Sequence, residues 1–235
     1  MDKFFENKPI FGMIHMSDGT KGRVDRALQE IRIFEAANVD GVILENYHGP
    51  AGDILDVLTD LGVTKLKVGI NILPNDYKRA MNMANYFGGD FIQLDYVAGS
   101  YERSEEFNTE EFLRYRERYP KIKVLGGVWP KYYYPVKGSN LKNDIKQAKK
   151  LCDAIVVTGT GTGKETPLDK IKQFRELCGD HPLIVGAGMD INNVQEQMKY
   201  VDGAIVGSAF KMNKDTMTLV TREFADKFME RKNAV

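Results

Sequence analysis

Four segments spread along the chain repeat one pattern, an aspartate leading into a short apolar run: VDGVIL (39–44), GDFIQL (89–94), CDAIVV (152–157) and VDGAIV (201–206). Apolar runs this short and without alternation suit strands buried on both faces, which is the situation of a parallel sheet covered by helices. Runs at 10–14, 67–73, 122–128 and 183–185 interleave with them, so the strand candidates number eight. Between them lie helical stretches. The first is 23–37, with Val24, Leu28, Ile31, Phe34 and Ala37 near one face, and the second follows Pro50, with Ile54, Leu55, Leu58 and Leu61. Others end near Phe87, begin near Thr109, run from an Asn140 or Ser139 cap to Leu151, span 167–178 and follow Asp190; the last covers 216–231 with Leu219 and Val220 on its apolar side.

Eight strands and eight helices in strict alternation over 235 residues define the expectation: an α/β chain forming a single (β/α)8 TIM barrel domain over residues 1–235. An open doubly wound sheet is the alternative. It would want a glycine fingerprint after its first strand, and Ile14-His15-Met16 supplies none.

Composition narrows the partners. Lys plus Arg and Asp plus Glu are 33 each, so the chain carries no net charge to draw it broadly to nucleic acid or anionic lipid. The two cysteines, Cys152 and Cys178, lack metal-site or CxxC spacing and read as buried fillers in a reducing compartment. No run approaches a membrane span, and the start, MDKFFENKPIF, has no leader-like apolar stretch. The expectation is a cytoplasmic protein, with a homo-oligomer anticipated on general grounds.

Barrel chemistry gathers where the strands end at their C-terminal rim. His15 is suited to proton transfer, to phosphate or metal binding, or to tying its loop to a neighbouring strand. Glu45 and Asp95 could abstract a proton, orient a hydroxyl or share a divalent cation, the one cofactor left open, or else anchor loop N–H groups. Asn46 and Asn71 offer both donor and acceptor to a ligand, although Asn71 could instead bridge strands. Lys131 could form a Schiff base, neutralise oxyanion charge, or sit in solvent. Tyr132-Tyr133-Tyr134 could stack on a ligand or cover the barrel, and His48 is a secondary rim candidate.

Thr158-Gly159-Thr160-Gly161-Thr162-Gly163-Lys164 lacks the glycine and the Ser/Thr that a P-loop needs at positions 158 and 165. It reads better as a loop covering a ligand or touching an anion, with threonine hydroxyls and permissive glycines. Gly186-Ala187-Gly188 and Gly207-Ser208 follow the last two strands. In a barrel, backbone N–H groups of two such loops can face one phosphate; the bland alternative is a pair of tight turns. Asp190 and Asn192-Asn193 read as caps of the seventh helix.

The stretches FGMIHM, VDGVILENY, KVGINILPND, DFIQLDYVAG, DAIVVTGTGTG, PLIVGAGM and DGAIVGSAFK together resemble the BtpA/SgcQ family in order. That resemblance implies a phosphate-binding-type (β/α)8 barrel. It also implies a shared site at His15, Glu45-Asn46, Asn71, Asp95, residues 158–163 and the two last glycine loops. Family members include a protein linked to photosystem I biogenesis and one associated with sugar-utilisation genes. Two departures stand out: Met16-Ser17-Asp18-Gly19 replaces an LPG segment, and Lys131-Tyr132 replaces a Lys-His pair.

The functional expectation is a metabolic enzyme acting on a phosphorylated sugar or nucleoside-like molecule, by isomerase, lyase or hydrolase-like chemistry. The alternative is a non-catalytic phosphometabolite sensor or a protein-complex biogenesis factor.

Overall fold

The structure is a computed structural model that describes residues 2–16 and 22–234, so Ser17, Asp18 and Gly19 of the segment that departs from the family pattern lie outside the described residues. Its eight parallel strands are β1 (Ile10–His15), β2 (Gly41–Glu45), β3 (Lys67–Asn71), β4 (Phe91–Leu94), β5 (Lys123–Gly127), β6 (Ala154–Val157), β7 (Leu183–Val185) and β8 (Gly203–Val206). Each pairs with the next, and β1 pairs with β8 to close the barrel. The covering helices are α1 (Arg23–Ala36), α2 (Gly52–Asp60), α3 (Tyr77–Phe87), α4 (Thr109–Arg116), α5 (Leu141–Leu151), α6 (Leu168–Cys178), α7 (Val194–Gln197) and α8 (Arg222–Asn233). Among the described residues no helix is long and apolar enough to cross a membrane.

The recurring aspartates have a shared task. The Oδ2 atoms of Asp40, Asp90 and Asp153 accept the backbone N–H of Ile10, Val68 and Val124, each at 2.8 Å, and Asp202 Oδ2 accepts that of Leu183 at 2.9 Å. The same four aspartates return their own N–H to the carbonyls of those four residues. Each even-numbered strand is thereby clamped to the odd-numbered strand before it at the N-terminal end of the barrel. The carboxylate satisfies an N–H with no ladder partner and fixes the register. The chain also runs close here: a Cβ at Gly41 would lie 2.6 Å from the Lys67 carbonyl oxygen.

Two apolar layers result. Phe11, Ile43, Phe91, Leu125, Val156, Ile184 and Ile205 fill the barrel interior, and a larger layer packs sheet against helices. Phe4 and Phe5 precede β1 and close the N-terminal end, Phe4 lying 5.8 Å from Phe11 and 5.5 Å from Phe91 between ring centroids. Entry to the interior is therefore from the C-terminal end.

Three expectations change. The last helix starts at Arg222 rather than 216, because Arg26 on α1 holds the carbonyls of Thr216, Met217 and Thr218. Val220 instead bridges to Lys211, and Leu219 is exposed. α7 is a single turn, since side chains of Asp190 and Asn193 take the N–H groups of Asn192 and Asp190 and build a turn in place of a first helical turn. On α2 it is Val57, not Leu55, that is buried. Cys152 and Cys178 are free and buried, as expected of fillers.

Candidate functional site

Strand register sets the first tier of the mouth. His15 is the register partner of Glu45, and Glu45 of Asn71, so three polar residues stand at one level on neighbouring strands. Asn71 is fully buried and donates through Nδ2 to Glu45 Oε1 at 2.8 Å. His15 Nε2 lies 3.8 Å from Glu45 Oε2, and the imidazole packs edge-on against Tyr47.

Above this tier opens a cavity of about 350 Å³. Its wall includes His15, Glu45, Asp95, Lys131, Thr158, Thr162, Gly163, Gly186, Ala187, Gly188, Gly207 and Ser208. Most of the rim residues singled out in the sequence thus meet in one space. Asn46, Asn71, Gly159, Thr160 and Gly161 do not line it. The Asn46 side chain accepts the Leu73 N–H at 2.7 Å and so shapes the loop after β3. Gly159 is packed so closely that a Cβ would lie 2.7 Å from the Glu165 carbonyl oxygen, and Thr160 faces solvent. Tyr47, Gln93, Tyr132 and Tyr133 also line the cavity, and of these only the tyrosine run stands out in the sequence, as a stacking candidate.

The electrostatics separate the ionisable groups. Burial pushes Glu45 up to about 7; the Asp95 charge adds to this, while Lys131 and the Asn71 hydrogen bond oppose it. Burial likewise raises Asp95, against the pull of the Tyr133 hydroxyl, which donates to Asp95 Oδ2 at 2.9 Å. His15 is driven well below the usual imidazole range by burial, then by the positive charges of Lys211 and Lys131, and is neutral at neutral pH.

The loop after β6 is held across the mouth. Lys131 Nζ donates to Thr162 Oγ1 at 2.9 Å, and the Tyr132 hydroxyl accepts the Thr162 N–H at 2.9 Å. Lys170 on α6 donates to the carbonyls of Trp129 and Thr158, tying the loops after β5 and β6 together. The Thr166 hydroxyl donates to the Ala187 carbonyl at 2.9 Å.

Gly188, at φ +69°, could not carry a side chain, since its Cβ would lie 2.1 Å from the Lys164 carbonyl oxygen. A Cβ at Gly163 would lie 3.0 Å from Ser208 Oγ. Three glycine-bearing turns, after β6, β7 and β8, therefore crowd together. Among the described residues, no hydrogen bond within the chain takes up the N–H groups of Gly163, Ala187, Gly188 or Ser208.

Beyond the mouth, a buried Lys211 pairs with a buried Glu30 at 3.3 Å, and Glu30 also accepts the Val220 N–H. This pair fixes the segment after β8 against α1. Nothing in the sequence pairs the two, which stand 181 residues apart. The described residues hold no group of three or more His, Cys, Asp or Glu side chains arranged to bind a metal ion.

Fold and mouth together define a (β/α)8 barrel whose C-terminal end holds a cavity into which several polar side chains converge. A model of the BtpA family matches residues 55–234. The chain belongs to the BtpA family. An uncharacterised protein of Methanocaldococcus jannaschii is 31% identical, the match covering 90% of each chain. The photosystem I biogenesis protein BtpA of Synechocystis sp. is 29% identical, over 88% of this chain and 82% of that one. Among solved structures, N-(5'-phosphoribosyl)anthranilate isomerase from Pyrococcus furiosus superposes with a TM-score of 0.64 at 13% identity, covering 97% of this chain and 100% of that one. At that identity the likeness is one of fold.

Proposed function

We propose that this barrel binds a phosphorylated small molecule at its C-terminal mouth and moves a proton on it through Glu45. The phosphate takes the turns of Gly163, Gly186-Ala187-Gly188 and Gly207-Ser208, where the N–H groups of Gly163, Ala187, Gly188 and Ser208 have no partner among the described residues. The organic portion then reaches toward Glu45, Asp95 and His15. Glu45 carries the catalytic part of this reading. A carboxyl whose ionisation sits at about 7 can both take and return a proton at neutral pH, at little cost in driving force. Neutral His15 and Lys131 are placed to share a hydrogen bond or a charge with an oxygen that becomes negative as the proton leaves.

A second reading has one observation in its favour. The Synechocystis relative bears the name of a photosystem I biogenesis protein, and it aligns over most of its length. On that reading the same pocket serves a non-catalytic sensor of a phosphorylated metabolite or a factor in building a protein complex. Incubating the protein with phosphosugar and nucleotide libraries, with and without divalent metals, and following products by mass spectrometry separates the two. Turnover abolished by Glu45→Gln supports the enzyme. Stoichiometric ligand binding with no turnover across the panel supports the sensor or biogenesis factor.

A further inference from the structure

The pocket has opposite polarity at its two ends. The turns after β6, β7 and β8 present N–H donors, whereas the wall from β2 and β4 presents Glu45, Gln93 and Asp95. Glu45 accepts the Asn71 hydrogen bond on Oε1, and Asp95 the Tyr133 hydrogen bond on Oδ2, with the Asn71 amide also favouring the Asp95 charge. Among the described residues no hydrogen bond reaches Glu45 Oε2 or Asp95 Oδ1, and His15 Nε2 stays 3.8 Å from the former. Glu45 is 7% exposed, so its open oxygen faces the cavity rather than bulk water. The one lysine or arginine in the described wall is Lys131, and its Nζ is turned onto Thr162.

In their ionised forms, two partly desolvated carboxylates with open oxygens call for a partner that donates and does not accept. A hydroxyl offers one donor and brings lone pairs of its own, whereas an ammonium offers three donors and a positive charge. We propose that the ligand carries, at the end away from its phosphate, a primary ammonium group held between Glu45 and Asp95. This makes the substrate class a phosphorylated amine rather than a phosphorylated polyol or acid. The inference rests on the phosphate reading given above.

Titration calorimetry in the presence of a metal chelator tests it with matched pairs of different reach. Ethanolamine phosphate is compared with ethylene glycol phosphate, glucosamine 6-phosphate with glucose 6-phosphate, and inorganic phosphate serves as the common reference. The amine of at least one pair should bind roughly tenfold or more tightly than its hydroxyl counterpart, the least expected of one charge-assisted hydrogen bond. Asp95→Asn, checked for folding by circular dichroism, should lose most of that preference and keep its affinity for inorganic phosphate. Equal or tighter binding of both hydroxyl compounds overturns the amine and leaves the phosphate site standing. A preference for the hydroxyl compounds that appears only with added magnesium assigns the carboxylates to a metal and also overturns it. Failure of inorganic phosphate and all four esters to bind removes the phosphate reading, and the amine with it.

Discussion

Replacing Glu45 by Gln should stabilise the protein, and only at higher pH. In the folded chain the carboxyl is displaced from its ordinary 4.5 up to about 7. At about 1.4 kcal/mol for each tenfold change in acidity, that displacement corresponds to roughly 3 kcal/mol. The folded state holds this proton more tightly than the unfolded state does. Ionisation therefore costs the fold nothing below pH 4.5, the cost grows as pH rises through the window, and it is complete above about 7. The group is 7% exposed, so solvent screening takes little from the figure.

Glutamine stays neutral throughout, and its amide oxygen can still accept the Asn71 Nδ2 hydrogen bond. The variant should therefore match the parent near pH 4.5 and exceed it by about 3 kcal/mol near pH 8. For a domain of this size the excess is a rise in melting temperature of about 6–12 °C. Melts of both proteins followed by circular dichroism from pH 4.5 to 8.5 give the difference curve. A difference that is flat in pH, or a variant less stable than the parent at pH 8, refutes the idea that Glu45 is ionised against its surroundings.

Asp90→Ala should cost about 1.5–3 kcal/mol in urea unfolding, because it leaves the Val68 N–H without the charged acceptor that meets it at 2.8 Å; a loss within experimental error would mean that the clamp is ornamental. Both thiols are buried and their ionisation is pushed up, Cys178 to about 11, so a disulfide reagent should leave the native protein unlabelled at pH 8 and modify both thiols once it is unfolded. Rapid labelling of the native protein would contradict the burial of Cys152 and Cys178. Gly188→Ala should displace the loop after β6, since its Cβ would meet the Lys164 carbonyl, and inorganic phosphate binding measured by calorimetry should fall at least tenfold; unchanged binding would place any anion elsewhere.

The barrel was legible because its strands are short, apolar and regularly spaced. The purpose of the aspartates that announce them was not, since each clamp reaches back across a helix; Asp40 and Ile10 are 30 residues apart. The strand-end residues His15, Glu45 and Asp95 could be read as a rim, because parallel closure brings every strand end to the same end of the barrel. The titration of Glu45 could not be read, as it depends on burial and on Asp95 approaching from two strands away.

The glycine-threonine loop misled in detail. Its spacing suggests uniform ligand contact, yet Thr158, Thr162 and Gly163 face the cavity while Gly159, Thr160 and Gly161 turn away. Lys170 was out of reach altogether, being one of two lysines on α6 until the fold lays it beneath two loops. The start of α8 was misplaced for a similar reason. Residues 216–218 have a helical pattern, but the distant Arg26 claims their carbonyls.

The central claim is that an anion sits on the turns after β6, β7 and β8. Titrating inorganic phosphate into 15N-labelled protein and following the backbone amides by NMR addresses it residue by residue. The account predicts saturable shifts led by Gly163, Ala187, Gly188 and Ser208, with the amides of β2 and β4 little changed. Shifts confined to exposed lysines, or no saturable response at those four amides, would contradict it.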